Sequence, residues 1–444
     1  MKDRSTSSRP PLIERILEPF EQFAHTASSG GIVLLACTVI ALVWANSPWG
    51  ASYHHLWETE IAVAAGPFAI RSTLHHLIND GLMVVFFFLV GLEIKREGLI
   101  GELASLQRAA LPAAAALGGM VVPAALYAAL NTGGPGAAGW GIPMATDIAF
   151  ALGVLALLGS RVPAGLKVFL AALAIVDDIG AVLVIAVFYT ETVDWGALGV
   201  AGLFLLLAAA ANAAGVRRPS AYLLIGIGLW GAVLASGVHA TIAGVLLAMV
   251  IPSRTRINED EFLSGARRSV AEFESGCGPG TTVLTNQVQQ EALLELETLC
   301  ERAQAPLQTM ERKLHTIVAF GIMPLFALAN AGVELTGGDF GTVLSSPVTL
   351  GIFLGLVLGK PLGITLFSWA AVRAGLATLP GGVTWRLVHG AAWLGGIGFT
   401  MSLFVAGLAF TNAPELLTAA KLGVLAASLV AGVCGWVLLR RGKA

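Results

Sequence analysis

The chain has 444 residues, 56% hydrophobic and only 12% charged, with a mean hydropathy of +0.79; soluble domains carry roughly 25% charged residues, so a water-soluble fold is excluded. A formal net charge of -2 gives no reason to expect nucleic acid or an acidic partner. Cys37, Cys277, Cys300 and Cys434 form neither a metal-ligand spacing nor a disulfide framework, and the class that fits is an all-α polytopic membrane protein.

Residues 1–27 are polar and charged and are expected to form a cytoplasmic amino-terminal segment. No cleavable signal is expected, because the apolar run Gly31 to Ala45 leads straight into a multi-span pattern and would serve as its own targeting signal. Apolar runs predict twelve spans, near 28–46, 77–94, 109–130, 140–158, 165–189, 196–214, 220–236, 238–252, 315–333, 347–372, 388–410 and 416–439. Residues 28–252 then hold transmembrane helices one to eight and 314–439 hold nine to twelve. Between them lies an extended cytoplasmic loop, 253–313, and after them a tail, 440–444.

The connections test this count, since lysine and arginine should gather on every second one. They do: one side carries Lys2, Arg4, Arg9 and Arg15, then Lys95, Arg96 and Arg108, then Arg161, Lys167, Arg217 and Arg218, and after the 254–313 segment Arg373, Arg386, Arg440, Arg441 and Lys443. The other side holds Arg71 among acidic Glu191, Asp194, Glu334, Asp339 and Glu415, with Lys421 just inside the outer end of the last span as a further exception. Both termini are therefore expected in the cytoplasm.

Two connections are more than turns. Glu60 to Thr73 (EIAVAAGPFAIRST) is external, partly alternating and broken at Gly66-Pro67, which predicts a short β-hairpin, with an irregular loop as the alternative. In the cytoplasmic loop, Ser275 to Thr282 (SGCGPGTT) reads as flexible. Val288 to Ala303 sets Leu293, Leu294, Leu296 and Leu299 against Glu291, Glu295 and Glu301. That spacing predicts an amphipathic helix against the cytoplasmic face, a mobile acidic linker being the alternative.

Polar residues within the spans carry the functional signal. Asp177 and Asp178 stand in the middle of Val168 to Thr190, a run otherwise free of charge. A charge at the bilayer centre costs roughly 2.5 to 3.5 kcal/mol even on lenient insertion scales, so two in succession need a use or a partner. A cation pathway is the first reading. Pro143 to Asp147 (PMATD) interrupts the fourth span, freeing backbone carbonyls beside a buried acid; an ordinary kink with a neutral Asp147 is the alternative. Gly395 to Ser402 (GGIGFTMS) permits either unwinding or close packing in the eleventh span.

These two interrupted spans are each the middle of a three-span group, 3–5 and 10–12. Paired interruptions at corresponding positions point to a transporter of inverted-topology repeats with its ion site at their interface. Lys360 lies in the tenth span with about ten uncharged residues on either side, so it should be paired, neutral or facing water, or else snorkel along a tilted helix. Asp80 and Glu93 bracket the second span, about 20 Å apart at helical rise. His75, His76, His239 and His315 lie near span ends, where histidine is a candidate titrating group and more often a structural one.

Ala145 to Phe150 (ATDIAF), Ala174 to Gly180 (AIVDDIG), Lys360 and Gly396 to Ser402 (GIGFTMS), with Asn79 to Met83 (NDGLM) and Gly91 to Glu97 (GLEIKRE), resemble the bacterial NhaA-type sodium/proton antiporters. The resemblance runs from about Phe23 to Arg441, apart from much of Thr255 to Ala305, where relatives have a shorter connection. It implies twelve helices with the fourth and eleventh unwound and crossing near the membrane centre. It also implies Asp178 as principal sodium ligand and proton carrier, Asp177 as the acid that pairs with Lys360, and Thr146 as a nearby oxygen donor. Asp147 would count both among the ion- and proton-binding residues and as the charge that balances helix amino termini, with Lys360 balancing the carbonyl ends. Glu93, Glu97, His239, Glu311 and His315 would map to a region of pH response, and the external hairpin to a homodimer contact.

The expected function is thus a secondary transporter rather than an enzyme: electrogenic, pH-regulated export of sodium, or lithium, in exchange for protons across a bacterial inner membrane, with no cofactor and the lipid bilayer as its surroundings. A sodium-coupled symporter would need more polar residues around a larger pocket. An intramembrane aspartyl protease lacks its G-x-G-D, and its two acids would not be adjacent on one helix. A prenyl-transfer D-D-x-x-D site fails because Ala181 stands where the last acid would be.

Overall fold

Lipid offers no partners to a bare backbone, so apolar runs must satisfy their own polar groups as helices. The expected runs do so in the computed structural model, which describes residues 29–65, 68–190, 193–277, 282–334 and 340–441. Among these residues, eight helices are long and apolar enough to cross a membrane, ten if each of two bent pairs counts as one, and Pro219–Ala235 and Thr241–Val250 are shorter apolar helices. Each expected span thereby has a helical counterpart. The expectations for 1–27, for the Gly66-Pro67 break, for 278–281 of the flexible stretch and for 442–444 of the tail fall outside the described residues.

The elements are α1 (Ser29–Ala45), α2 (Gly50–Glu58), β1 (Glu60–Ala65), β2 (Phe68–Thr73), α3 (Leu74–Ile100), α4 (Leu106–Asn131), a 3-10 helix (Ala137–Met144) and α5 (Ile148–Leu157). There follow α6 (Ala164–Phe188), α7 (Trp195–Ala213), α8 (Pro219–Ala235), α9 (Thr241–Val250), α10 (Glu259–Ser275) and α11 (Gln287–Ala303). Last come α12 (Pro306–Asn330), α13 (Pro347–Arg373), α14 (Trp385–Gly395), α15 (Phe399–Ala409) and α16 (Pro414–Arg441).

The chain divides into two compact units. The first comprises the described parts of Met1–Leu82, Ile100–Tyr189 and Val318–Ala444. β1 and β2 pair antiparallel from Glu60↔Thr73 to Ala65↔Phe68, which decides for the hairpin over the irregular loop. α4 and α13 pack along their length, and a Cβ built on Gly363 would collide with the Gly118 carbonyl oxygen. Only a glycine pair lets the two backbones come that close. Both expected interruptions are present: the 3-10 helix gives way to α5 through Ala145–Asp147, and α14 meets α15 at a 44° bend.

Among the described residues, three helices also widen into a π-helical turn, at Leu77–Leu82, Val318–Ile322 and Gly355–Gly359, which apolar periodicity does not reveal. Two of these have a local cause. Pro324 and Pro361 lack the N–H that would bond the carbonyls of Phe320 and Val357, so regular α-helical bonding fails there.

The second unit comprises Met83–Leu99 and the described parts of Thr190–Ile317. Phe88 and Leu92 of α3 share a core with Ala201, Tyr222, Leu229 and Leu247 from α7 to α9. A Cβ on Gly244 would collide with the Val84 carbonyl oxygen, so α9 meets α3 backbone to backbone. α11 occupies the stretch expected to be helical, but it pairs with α10, a helix that apolar spacing does not reveal. Asn258 caps α10 by accepting the Glu261 N–H at 2.8 Å, and Asn286 caps α11 by accepting the Val288 N–H at 3.0 Å. The inward line of α11 is Gln289, Ala292, Leu296 and Leu299, whereas Leu293 and Leu294, expected on the apolar stripe, are exposed.

Candidate functional site

The site is built where α6, α13 and the two interrupted spans of the first unit meet. Asp177 and Asp178 occupy the middle of α6, each 1% exposed. Successive helical side chains diverge by about 100 degrees, so the two carboxylates face different neighbours. Lys360 donates from Nζ to Asp177 Oδ2 at 2.8 Å and is itself fully buried. The same ammonium donates to the carbonyl oxygen of Met144, the last residue of the 3-10 helix, and attracts Asp178 through space. Its position follows from α13: Lys360 comes directly after the π-helical turn and three residues before Gly363, the point of closest approach to α4. Its stem passes Gly119, where a Cβ would lie 3.8 Å from Lys360 Cε.

The two interruptions are stitched to each other by reciprocal hydrogen bonds. The Asp147 N–H donates to the Ile397 carbonyl at 2.7 Å, and the Thr146 hydroxyl donates to the Gly395 carbonyl at 2.9 Å. From the other span, the Ser402 hydroxyl donates to the Ile142 carbonyl at 2.8 Å. Each break thus satisfies carbonyls that the other has freed, as backbone at membrane depth requires.

Asp147 joins two helix starts. As N-cap of α5 it accepts the Phe150 N–H at 3.0 Å, and it accepts the Thr400 N–H at 3.2 Å together with the Thr400 hydroxyl. The Asp147 carboxyl group therefore lies against the first turns of both α5 and α15, where helix dipoles favour its ionised form, while Lys360 Nζ lies against a carbonyl end. Thr146, Asp147, Asp177, Asp178 and Lys360, all singled out in the sequence, are brought together and buried.

The sequence signals no role for Thr400, Ser402 or Ser428, whose hydroxyl oxygen accepts the Phe399 N–H at 3.0 Å. Thr400 and Ser402 lie inside the GIGFTMS motif, so their types are visible. Hydroxyls in spans commonly bond within their own helix, which gives no sign that these reach across.

The remaining candidates lie in the second unit. Arg96 pairs with Glu97 at 2.9 Å and with Glu311, and Glu93 and His315 interact electrostatically with Glu311, so four of the five gather around one guanidinium. His239 stands apart. Its Nδ1 is 2.9 Å from the Thr241 hydroxyl at the start of α9, whereas Lys95 of the charged group bonds the Ile251 carbonyl past the other end of that helix. Ten residues of helix separate the two positions by about 15 Å.

In the first unit, His76 Nε2 lies 2.8 Å from Asp80 Oδ2. His75 Nε2 lies 3.1 Å from Asn330 Oδ1, and Asn330 donates in turn to Asn79 Oδ1 at 2.9 Å.

A family profile described as "Na+/H+ antiporter 1" matches residues 21–439 of this chain. A protein of Syntrophotalea carbinolica named "Na(+)/H(+) antiporter NhaA 2" is 52% identical over 436 residues, covering 98% of this chain and 99% of its own. "Na(+)/H(+) antiporter NhaA" of Oleidesulfovibrio alaskensis is 52% identical over 433 residues, 97% of this chain and 95% of its own. Its namesake in Koribacter versatilis is 51% identical over 440 residues, 99% and 95% respectively. With the profile spanning nearly the whole chain and the paired helix breaks in place, the chain belongs to the Na+/H+ antiporter 1 family.

Proposed function

We infer that this chain exchanges sodium for protons across a bacterial inner membrane by alternating access, with Asp177 and Asp178 as the exchanging groups. The observation that carries this is the buried ion pair between Asp177 and Lys360 beside a second buried carboxylate, Asp178, at the crossing of two broken helices. A hard cation favours oxygen ligands, and Asp178, Asp177 and Thr146 supply carboxylate and hydroxyl oxygen. Protons and sodium compete for the same carboxylates, so loading one expels the other.

Lys360 serves this competition. A buried ammonium needs its counter-charge, so a sodium ion that draws Asp177 away leaves Lys360 poised to lose a proton, and departure of sodium restores the pair. Asp147 holds the two helix starts in register while the site changes its load, which makes it a positioning residue rather than a ligand. When more protons than sodium ions cross in each cycle, the membrane potential drives sodium outward. Lithium is expected to substitute for sodium, and no resident cofactor enters the cycle.

The same reading places both termini and the 253–313 segment in the cytoplasm and the β-hairpin outside, where it would join two copies. Glu93, Glu97, Glu311 and His315 around Arg96 would set the pH at which exchange begins, with His239 acting from a separate position. The test is a pH gradient imposed on everted vesicles carrying the protein and followed by a fluorescent dye as sodium or lithium is added. Cation-dependent collapse of the gradient is expected for the native chain and none for Asp178→Asn. Absence of collapse at every pH from mildly acidic to alkaline would remove the reading.

A further inference from the structure

Between α1, α5 and α16 of the first unit runs an apolar groove of about 700 Å³. On α16 it extends from Leu425 to Trp436, a rise of about 16 Å. That is close to half of the roughly 30 Å hydrocarbon core, the depth of one leaflet. Its rims carry exposed Leu35, Leu157, Leu429 and Val433. Its two lining hydroxyls are already engaged: the Thr38 hydroxyl donates to the Leu34 carbonyl at 2.8 Å, and the Ser428 oxygen accepts the Phe399 N–H at 3.0 Å. Along its length from Leu425 to Val433 the groove therefore suits an alkyl chain.

One end of the groove is different. Trp436 closes it, and the Arg440 guanidinium stacks 4.9 Å from the centroid of that indole, with Arg441 exposed beside it in sequence. A guanidinium held over an indole face by cation–π attraction keeps its edge N–H groups for a further partner, and their fork matches phosphate. Positive charge at the end of a leaflet-deep apolar groove complements a lipid that carries negative charge at its head.

We propose that this groove binds one anionic phospholipid, its acyl chain laid along Leu425 to Trp436 and its phosphate held by Arg440. The chain then rests on Ile397 and Phe399. Ile397 lies within the break of the eleventh span, and Phe399 opens α15 immediately before Thr400, which holds Asp147. Bound lipid thus braces the crossing from the bilayer side.

The test is titration of the full-length, delipidated protein in detergent with phosphatidylglycerol or phosphatidylcholine, read by native mass spectrometry. One phosphatidylglycerol per chain is expected, bound at least about tenfold more tightly than phosphatidylcholine. Arg440→Gln should weaken it about fivefold, as loss of one cation near an anionic head predicts. Gly432→Leu fills the groove from a position where a new Cβ meets only Ile397, at 3.5 Å, and should abolish the adduct with helix content unchanged; Ala426→Phe repeats the test if that variant fails to fold. Equal binding of the two lipids, or an adduct that survives both groove-filling variants, would overturn the proposal. So would a change of oligomeric state in those variants without loss of lipid, which would assign the groove to a second copy of the chain.

Discussion

Lys360 Nζ and Asp177 Oδ2 stand 2.8 Å apart with neither residue more than 1% exposed, joining helices 183 positions apart in the chain. Taking away the ammonium alone strands a buried carboxylate, which costs about 3 to 5 kcal/mol, whereas taking away both charges can be nearly neutral. Lys360→Met is therefore expected to lower the unfolding temperature in detergent, and Asp177→Asn/Lys360→Met to recover most of that loss while still failing to transport. Equal destabilisation in the single and double variants would show that the pair is not energetically coupled.

Much of this site is legible in the amino-acid sequence, for an energetic reason. A charge in an apolar run is expensive, so Asp147, Asp177, Asp178 and Lys360 announce themselves by type and place, and Pro143 with the glycines of 395–398 marks where helical bonding fails. Thr400, Ser402 and Ser428 are not legible as cross-span partners, because a hydroxyl in a span costs little and its direction depends on tertiary contact. The π-helical turn before Lys360 is hidden for a different reason: apolar residues surround it on all sides, and one extra residue per turn leaves no trace in periodicity. α10 is hidden because its inward line places only Gly265, Ala266 and Ser269, small and weakly apolar, between Phe262 and Phe273. It is a helix face only in the presence of α11, where a Cβ on Gly265 would lie 2.8 Å from Leu299.

The Asp147 carboxylate accepts two helix-start N–H groups and one hydroxyl. Leaving a buried donor unmet costs about 1 to 3 kcal/mol, so Asp147→Ala should destabilise by more than Thr400→Val, which removes only the hydroxyl and keeps the shape. Both should slow exchange in everted vesicles, Asp147→Ala the more severely, because the two helix starts lose the carboxyl group that bonds both of them. Thermal unfolding and dye-followed exchange on the same preparations check the order. Native rates in Thr400→Val would show the hydroxyl contact to be incidental.

Gly363 sets how closely α13 approaches α4, since a Cβ there would collide with the Gly118 carbonyl oxygen and no flexible side-chain tip is available to yield. Gly363→Ala should cost about 1 to 3 kcal/mol by overpacking. It should depress exchange further than that loss of stability accounts for, because Lys360 lies one turn away and moves with the helix. Gly407 in α15 has nothing within 4 Å of a built Cβ, so Gly407→Ala is the matched control and should leave both unfolding temperature and exchange nearly unchanged. Equal behaviour of the two variants would dissociate Lys360 placement from the glycine contact.

The α10 and α11 hairpin can be excised cleanly, because the Arg256 N–H donates to the Arg302 carbonyl at 3.0 Å and so brings its two ends together. Residues 259–303 hold nine acidic side chains against three arginines, a net charge of -6, and Glu311 follows within the same unit. A negative surface concentrates protons locally, so groups near it need a higher bulk pH to lose theirs. Replacing 259–303 by a short Gly-Ser linker should therefore shift the pH-activity curve of exchange toward lower pH, by roughly a few tenths of a unit. The shift should be largest at low ionic strength and fade as salt shortens the screening length below about 8 Å. Maximal rate should hardly change, because Asp177, Asp178 and Lys360, the groups proposed to carry exchange, belong to the first unit. A curve that stays in place at low salt would make the hairpin electrostatically silent.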